Sequence, residues 1–159
     1  MGPIIAVIGG AAPTKEDAAA AEAVGRALAQ AGAVLVCGGM GGVMEAACRG
    51  AKSAAGLTVG ILPGTDASEA NPHVDIPIVT NIRCARNVII ARTAQAVIAI
   101  GGSYGTLSEI AFALNFGKPV VGLGTWEMGR AGHPPAPIVR AGTPQEAVER
   151  ALALARQQR

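Results

Sequence analysis

Three glycine-rich segments, "GGAAPT" (9–14), "CGGMGGVME" (37–45) and "GGSYGTLSE" (101–109), each lie between an apolar run and a helical pattern. Glycine lets a backbone approach a ligand closely, and the start of the following helix offers free N–H groups and a partial positive charge. One such loop serves equally well as a tight turn. Three at equivalent positions point to a phosphate-bearing ligand held by Gly9, Gly10, Gly38, Gly39, Gly41, Gly42, Gly102, Ser103, Tyr104, Gly105 and Thr106. Arg83, Arg86 and Asn87 stand at i, i+3 and i+4, so a helix there presents them on one face. Arginine on that face can clamp a phosphate with its planar fork; the bland alternative is a solvated arginine face.

Glu109 is the group out of place. A carboxylate near a helix start aimed at an anion opposes the anion. Thr106-x-x-Glu109 fits a capping box, which needs no function. The other reading is that part of the ligand is not phosphate. Sugar hydroxyls could bond the carboxylate, or it could steady cationic charge developing at an anomeric carbon. Glu45 carries the same ambiguity with less support, because an acidic residue in a first helical turn favours the dipole anyway.

The segments are not the common nucleotide motifs. "GGAAPT" lacks the GxGxxG spacing, and no acidic residue ends the second apolar run, where a dinucleotide's ribose would be read. No Gly-Lys-Ser/Thr occurs, which argues against ATP hydrolysis, and no GxSxG precedes a helix. His73 and His133 fall in loops, and Cys37, Cys48 and Cys84 form no metal-ligand pattern, so no metal site is expected. The cysteines read as small apolar fillers in a reducing compartment.

The elements that must position these groups alternate. Strands are expected at 4–8, 33–39, 57–63, 94–100 and 118–123, with edge strands in "IPIVT" (76–80) and "PIVRA" (137–141). Helices are expected after Thr14, over 42–54, from Asn81 as cap to about Thr93, to about Phe116, and after Thr143 with Pro144 at its first position. Such alternation implies an α/β fold in a single domain spanning 1–159. Its sheet is doubly wound, mostly parallel and Rossmann-like, with helices on both faces. Ligands of such sheets bind beyond the carboxyl ends of the strands, which is where the glycine segments fall.

Half of the 159 residues are hydrophobic and 15% are charged, with net charge +2 and no basic run, so nucleic acid is not expected as a partner. "MGPIIAVIGG" reads as a first strand rather than a signal peptide, and no apolar run approaches the roughly 20 residues of a membrane span, so a cytoplasmic protein is expected. Trp126, in the irregular 124–136 loop, could cover a ring or pack at a subunit contact.

"CGGMGGVMEAACRGAKSAAGLTVGILPG" and "RCARNVIIARTAQAVIAIGGSYGTLSEI" resemble the two signatures shared by the molybdenum-cofactor carrier proteins and the Lonely-guy nucleotide phosphoribohydrolases, often mislabelled lysine decarboxylases. The hydrolase signature PGGxGTxxE places its glutamate on Glu109 and its Gly-Thr on Gly105 and Thr106, and an arginine one helix earlier falls on Arg86. Gly101 stands where that signature has proline, Ser103 replaces its second glycine, and Ala85 and Asn87 flank Arg86 in place of Glu and Lys. These forms are more similar to the shorter carrier branch. The resemblance therefore implies a non-catalytic protein that binds a phosphorylated pterin or nucleotide-like ligand, the molybdenum cofactor or a nucleoside monophosphate, with no cofactor required for chemistry. The alternative it leaves is a phosphoribohydrolase that cleaves an N-glycosidic bond with Arg86 and Glu109. A nucleotide-sensing module is a third, weaker reading. The resemblance also implies a homo-oligomer, dimer or tetramer.

Overall fold

The computed structural model describes residues 1–158. Seven strands make one sheet: β1 (Ile4–Gly9), β2 (Val34–Cys37), β3 (Thr58–Leu62), β4 (Ile76–Val79), β5 (Ala96–Ile100), β6 (Val120–Leu123) and β7 (Ile138–Arg140). Their order is β4-β3-β2-β1-β5-β6-β7, and every pairing is parallel. Five helices connect them: α1 (Lys15–Gln30), α2 (Val43–Ser53), α3 (Asn87–Thr93), α4 (Tyr104–Asn115) and α5 (Pro144–Arg156). This is the doubly wound arrangement that the apolar runs imply, because a parallel strand is covered on both faces. β4, which contains Pro77, lies at one edge.

The pleat divides the core in two. Ile5, Val7, Leu35 and Ile98 point to the layer of α1, α2 and α5. Ala6, Ile8, Val36 and Val97 point to the other face, where Ile90 of α3 and Ile110 of α4 meet them. The strand order reverses between β1 and β5, so the loops after these two strands flank a crevice at the carboxyl edge.

Threonines start two helices as the sequence indicates. Thr14 Oγ accepts from Asp17 N at 3.1 Å, and Thr143 Oγ accepts from Glu146 N at 3.1 Å. Glu146 reaches back to Gly142 N, at 2.8 Å, and not to the cap residue's own N–H. Thr143→Ala is expected to cost about 1 kcal/mol and lower the melting temperature by roughly 2–4 °C, measured by circular dichroism.

Two expectations are corrected. Asn81 does not cap a helix. Asn81 and Arg83 take left-handed φ values of 54° and 51°, and their N–H groups bond the carbonyls of Gly64 and Pro63 beyond the end of β3. A short 3₁₀ turn over Arg83–Arg86 follows, and α3 begins only at Asn87. The second correction concerns the cysteines. Cys37 and Cys48 are buried with sulfurs 3.5 Å apart, but Cys84 is exposed and fills nothing.

Candidate functional site

The loops after β1 and β5, the starts of α2 and α3 and the first two turns of α4 line a cavity of about 170 Å³. Of the residues singled out in the sequence, Gly9, Gly10, Arg86, Asn87, Ser103, Gly105, Thr106 and Glu109 line it. A wider cleft of about 390 Å³ continues from it, sharing Gly10, Ala11 and Ser103, and adding Gly102, Thr14 and Asp17.

Gly38, Gly39, Gly41 and Gly42 do not line the cavity; two of them shape it. A Cβ on Gly38 would lie 2.7 Å from Arg86 Nη2, so only glycine lets the guanidinium settle against that loop. Gly42 caps α2 with φ 71°, and a Cβ there would meet the Gly10 carbonyl oxygen at 2.3 Å. This close approach lets Val43 N bond Gly10 O at 3.0 Å and ties the β2 loop to the β1 loop. Gly39 N instead bonds Cys37 Sγ at 3.3 Å, and Gly41 sits beside the Glu45 carboxylate.

Arg86 is half-buried and held from several sides. Its Nη1 donates to Asn87 Oδ1, and Nη2 points to Gly38 O at 3.5 Å. Asn87 Nδ2 donates to Ser108 Oγ at 3.1 Å, and Ser108 in turn donates to Gly105 O at 2.7 Å. Sequence reasoning missed Ser108. The available signal was its place three residues after Gly105, where a helical serine can bond back to the carbonyl. The Arg86 Nε–H is buried and has no partner among the described residues. A buried donor left unpaired is costly, and a ligand oxygen would satisfy it.

Arg83 does not join Arg86. The left-handed residues break the helical spacing, and Arg83 lines a separate cavity of about 350 Å³ with Pro63, Gly64, Glu69, Asn81 and Cys84. Tyr104 also turns away. It is 80% exposed and stacks on Trp126 with ring centroids 5.9 Å apart. Trp126 Nε1 donates to Ser103 O at 3.1 Å, and Arg140 Nη2 donates to Trp126 O at 2.7 Å. The 124–136 loop is thereby pinned to the start of α4.

Glu109 is not a capping residue. α4 starts at Tyr104, with Ser103 as N-cap, so Thr106 lies inside the helix and Glu109 in its second turn. There it is 7% exposed. Burial pushes its carboxyl up to about 7, although the Arg86 guanidinium beside it pulls the other way. Burial also lowers the Arg86 pKa, and Glu109 opposes that shift. Near neutral pH the carboxyl is therefore divided between a neutral form that donates an O–H and a charged form that only accepts. The cavity presents one fixed cation, helix-start amides and a carboxyl that can lose its charge. That set suits a phosphate ester whose organic part reaches the carboxyl or the outer cleft.

The model of the SLOG cluster4 family matches residues 2–148. A protein of Archaeoglobus fulgidus is 49% identical over 119 residues, which cover 75% of this chain and 78% of that protein. Among solved structures, the molybdenum cofactor binding protein of the phototrophic bacterium Rippkaea orientalis is 37% identical with a TM-score of 0.87, covering 97% of this chain and 98% of that one. A molybdenum cofactor carrier protein from Chlamydomonas reinhardtii is 35% identical with a TM-score of 0.85, covering 99% of both chains. Among the described residues, no helix is long and apolar enough to cross a membrane.

Proposed function

The chain belongs to the SLOG cluster4 family, and from that footing we propose that it binds the molybdenum cofactor, a phosphorylated pterin, and carries it without transforming it. The observation that carries this reading is the unpartnered Nε–H of Arg86, set among helix-start amides in a cavity of about 170 Å³ that has room for a phosphate group. The phosphate occupies the inner cavity. The pterin lies in the outer cleft, which is large enough for a fused ring and is lined by Ala11, Ala12, Pro13 and Gly102. Glu109, in its neutral form, donates to a ligand oxygen without repelling the phosphate. Molybdenum enters as cargo on the pterin.

One observation favours a second reading. A buried carboxyl titrating near 7 beside an arginine is also what a general acid would need for N-glycosidic cleavage of a nucleoside 5′-monophosphate. Against it, Asn87 spends both ends of its amide in holding Arg86 and bonding Ser108, so it offers no second cation or base beside the arginine.

The test is direct. The purified protein is mixed with molybdopterin and passed over a sizing column, and separately incubated with adenosine monophosphate while free adenine is followed. Stoichiometric retention of the pterin with no adenine release is expected. Adenine release that disappears in Glu109→Ala would overturn the carrier reading and establish the hydrolase.

A further inference from the structure

The outer cleft has one charged side chain on its wall. Asp17 stands in the first turn of α1 and lines the cleft with Ala11, Ala12, Pro13 and Gly102. Its N–H is spent on the Thr14 hydroxyl at 3.1 Å. Its carboxylate makes no hydrogen bond or ion pair among the described residues. Gly10, Ala11 and Ser103 line both this cleft and the cavity that holds Arg86. Arg86 and Asp17 thus stand in two compartments of one groove.

The carboxylate is held inside the cleft by the loop after β5. A Cβ on Gly101 would lie 2.4 Å from Asp17 Oδ2, and Gly101 takes a left-handed φ of 53°. The proline that the hydrolase signature has at this position could not take that φ, and its ring would fill the space of the carboxylate. An aspartate in a first helical turn favours the helix dipole wherever its side chain points. The dipole does not require it to rest against Gly101 in a ligand cleft.

We propose that Asp17 reads the hydrogen-bonding edge of the ligand's ring, and that this ring is a 2-amino-4-oxopyrimidine, the edge shared by pterins and guanine. The inference rests on the reading that the inner cavity takes the ligand's phosphate. A carboxylate only accepts hydrogen bonds, and its two oxygens match two parallel N–H groups. The 2-amino-4-oxopyrimidine offers that pair, a ring N–H beside an amino group. Hypoxanthine keeps the ring N–H and lacks the amino group. Adenine sets a ring-nitrogen lone pair beside its amino group, so one of the two contacts becomes repulsive. The small apolar side chains of Ala11, Ala12 and Pro13 leave a flat ring room to reach the carboxylate.

Titration calorimetry with guanosine and inosine 5′-monophosphates tests it, with ribose 5-phosphate as the reference that has no ring system. The wild type is expected to bind the guanosine ester about 10-fold more tightly than the inosine ester, because one charge-assisted bond separates them. In Asp17→Asn the two esters are expected to bind alike, while ribose 5-phosphate binds both proteins equally. A merely structural role for Asp17 would move all three affinities together and leave the guanosine preference in place. Molybdopterin, titrated in the same way, distinguishes the two sources of the edge. Tighter binding of molybdopterin than of the guanosine ester identifies a pterin, and the reverse identifies a guanine nucleotide. A wild type that does not prefer the guanosine ester, or a preference that survives in Asp17→Asn, would overturn the role of Asp17 while ribose 5-phosphate binding upholds the phosphate cavity. Failure of all four phosphate esters to bind would overturn both.

Discussion

Arg86→Met is expected to weaken binding of a phosphomonoester about 100-fold at neutral pH, measured by titration calorimetry. Methionine keeps much of the apolar stem and removes only the fork. The fork is already aligned, because Asn87 holds Nη1, the Gly38 carbonyl lies by Nη2, and the remaining Nε–H has no partner among the described residues. A ligand phosphate would gain about two charge-assisted bonds at roughly 1.5–3 kcal/mol each, and part of that is offset by desolvation of the ligand. A net loss of about 3 kcal/mol corresponds to about 100-fold in affinity. Arg86→Lys keeps the charge but not the fork geometry, so a partial loss of roughly 10-fold is expected. Full affinity in Arg86→Met would mean that the phosphate sits elsewhere, with the separate cavity beside Arg83 as the first place to look.

The fold was legible because the strands are apolar throughout. "AVIAI" and "IIAVI" have no polar alternation, so they had to be covered on both faces, and a chain alternating such runs with helices has little choice but a parallel sheet. Thr14 and Thr143 were legible because a cap is local. The path from Asn81 to Arg86 was not. Its left-handed residues are held by bonds to carbonyls at the end of β3, some twenty residues earlier in the chain, and no local propensity reports that. The error on Arg83 follows from it, since side-chain spacing predicts a shared face only where the helix is continuous. Glu109 shows the same limit. The pattern Thr-x-x-Glu has a local meaning, but the helix starts two residues before Thr106, and that small shift carries the carboxyl from a surface cap into the second turn, under the β1 loop. Ser108 escaped notice because its part is to hold Asn87, one step removed from the cavity wall.

Glu109 gives the other large effect, on the dependence of stability on pH. Its carboxyl titrates near 7 in the folded chain, against about 4.3 for an unfolded glutamate. Between those values the folded state holds a proton that the unfolded state has lost. Unfolding free energy therefore falls as pH rises from about 4.5 to about 7, by on the order of 3 kcal/mol, and is flat with respect to this group above that window. Asp66, Asp75 and Glu146 are shifted the other way, so what they contribute is present above the usual carboxylate range and is lost only as pH falls below it. The two windows do not coincide. Glu109→Gln preserves size and removes the titration, and it is expected to melt roughly 6–10 °C above the wild type at pH 8 while nearly matching it at pH 5. Ligand binding should follow the same group. The charged carboxylate opposes a phosphate, so wild-type affinity should decline through pH 7 more steeply than that of Glu109→Gln. In Arg86→Met the supporting cation is gone, so the carboxyl should titrate higher still and the stability decline should move to higher pH. Identical melting profiles for wild type and Glu109→Gln across pH 5–8 would show that water reaches the carboxylate after all, and the explanation for a negative charge beside a phosphate cavity would have to be found elsewhere.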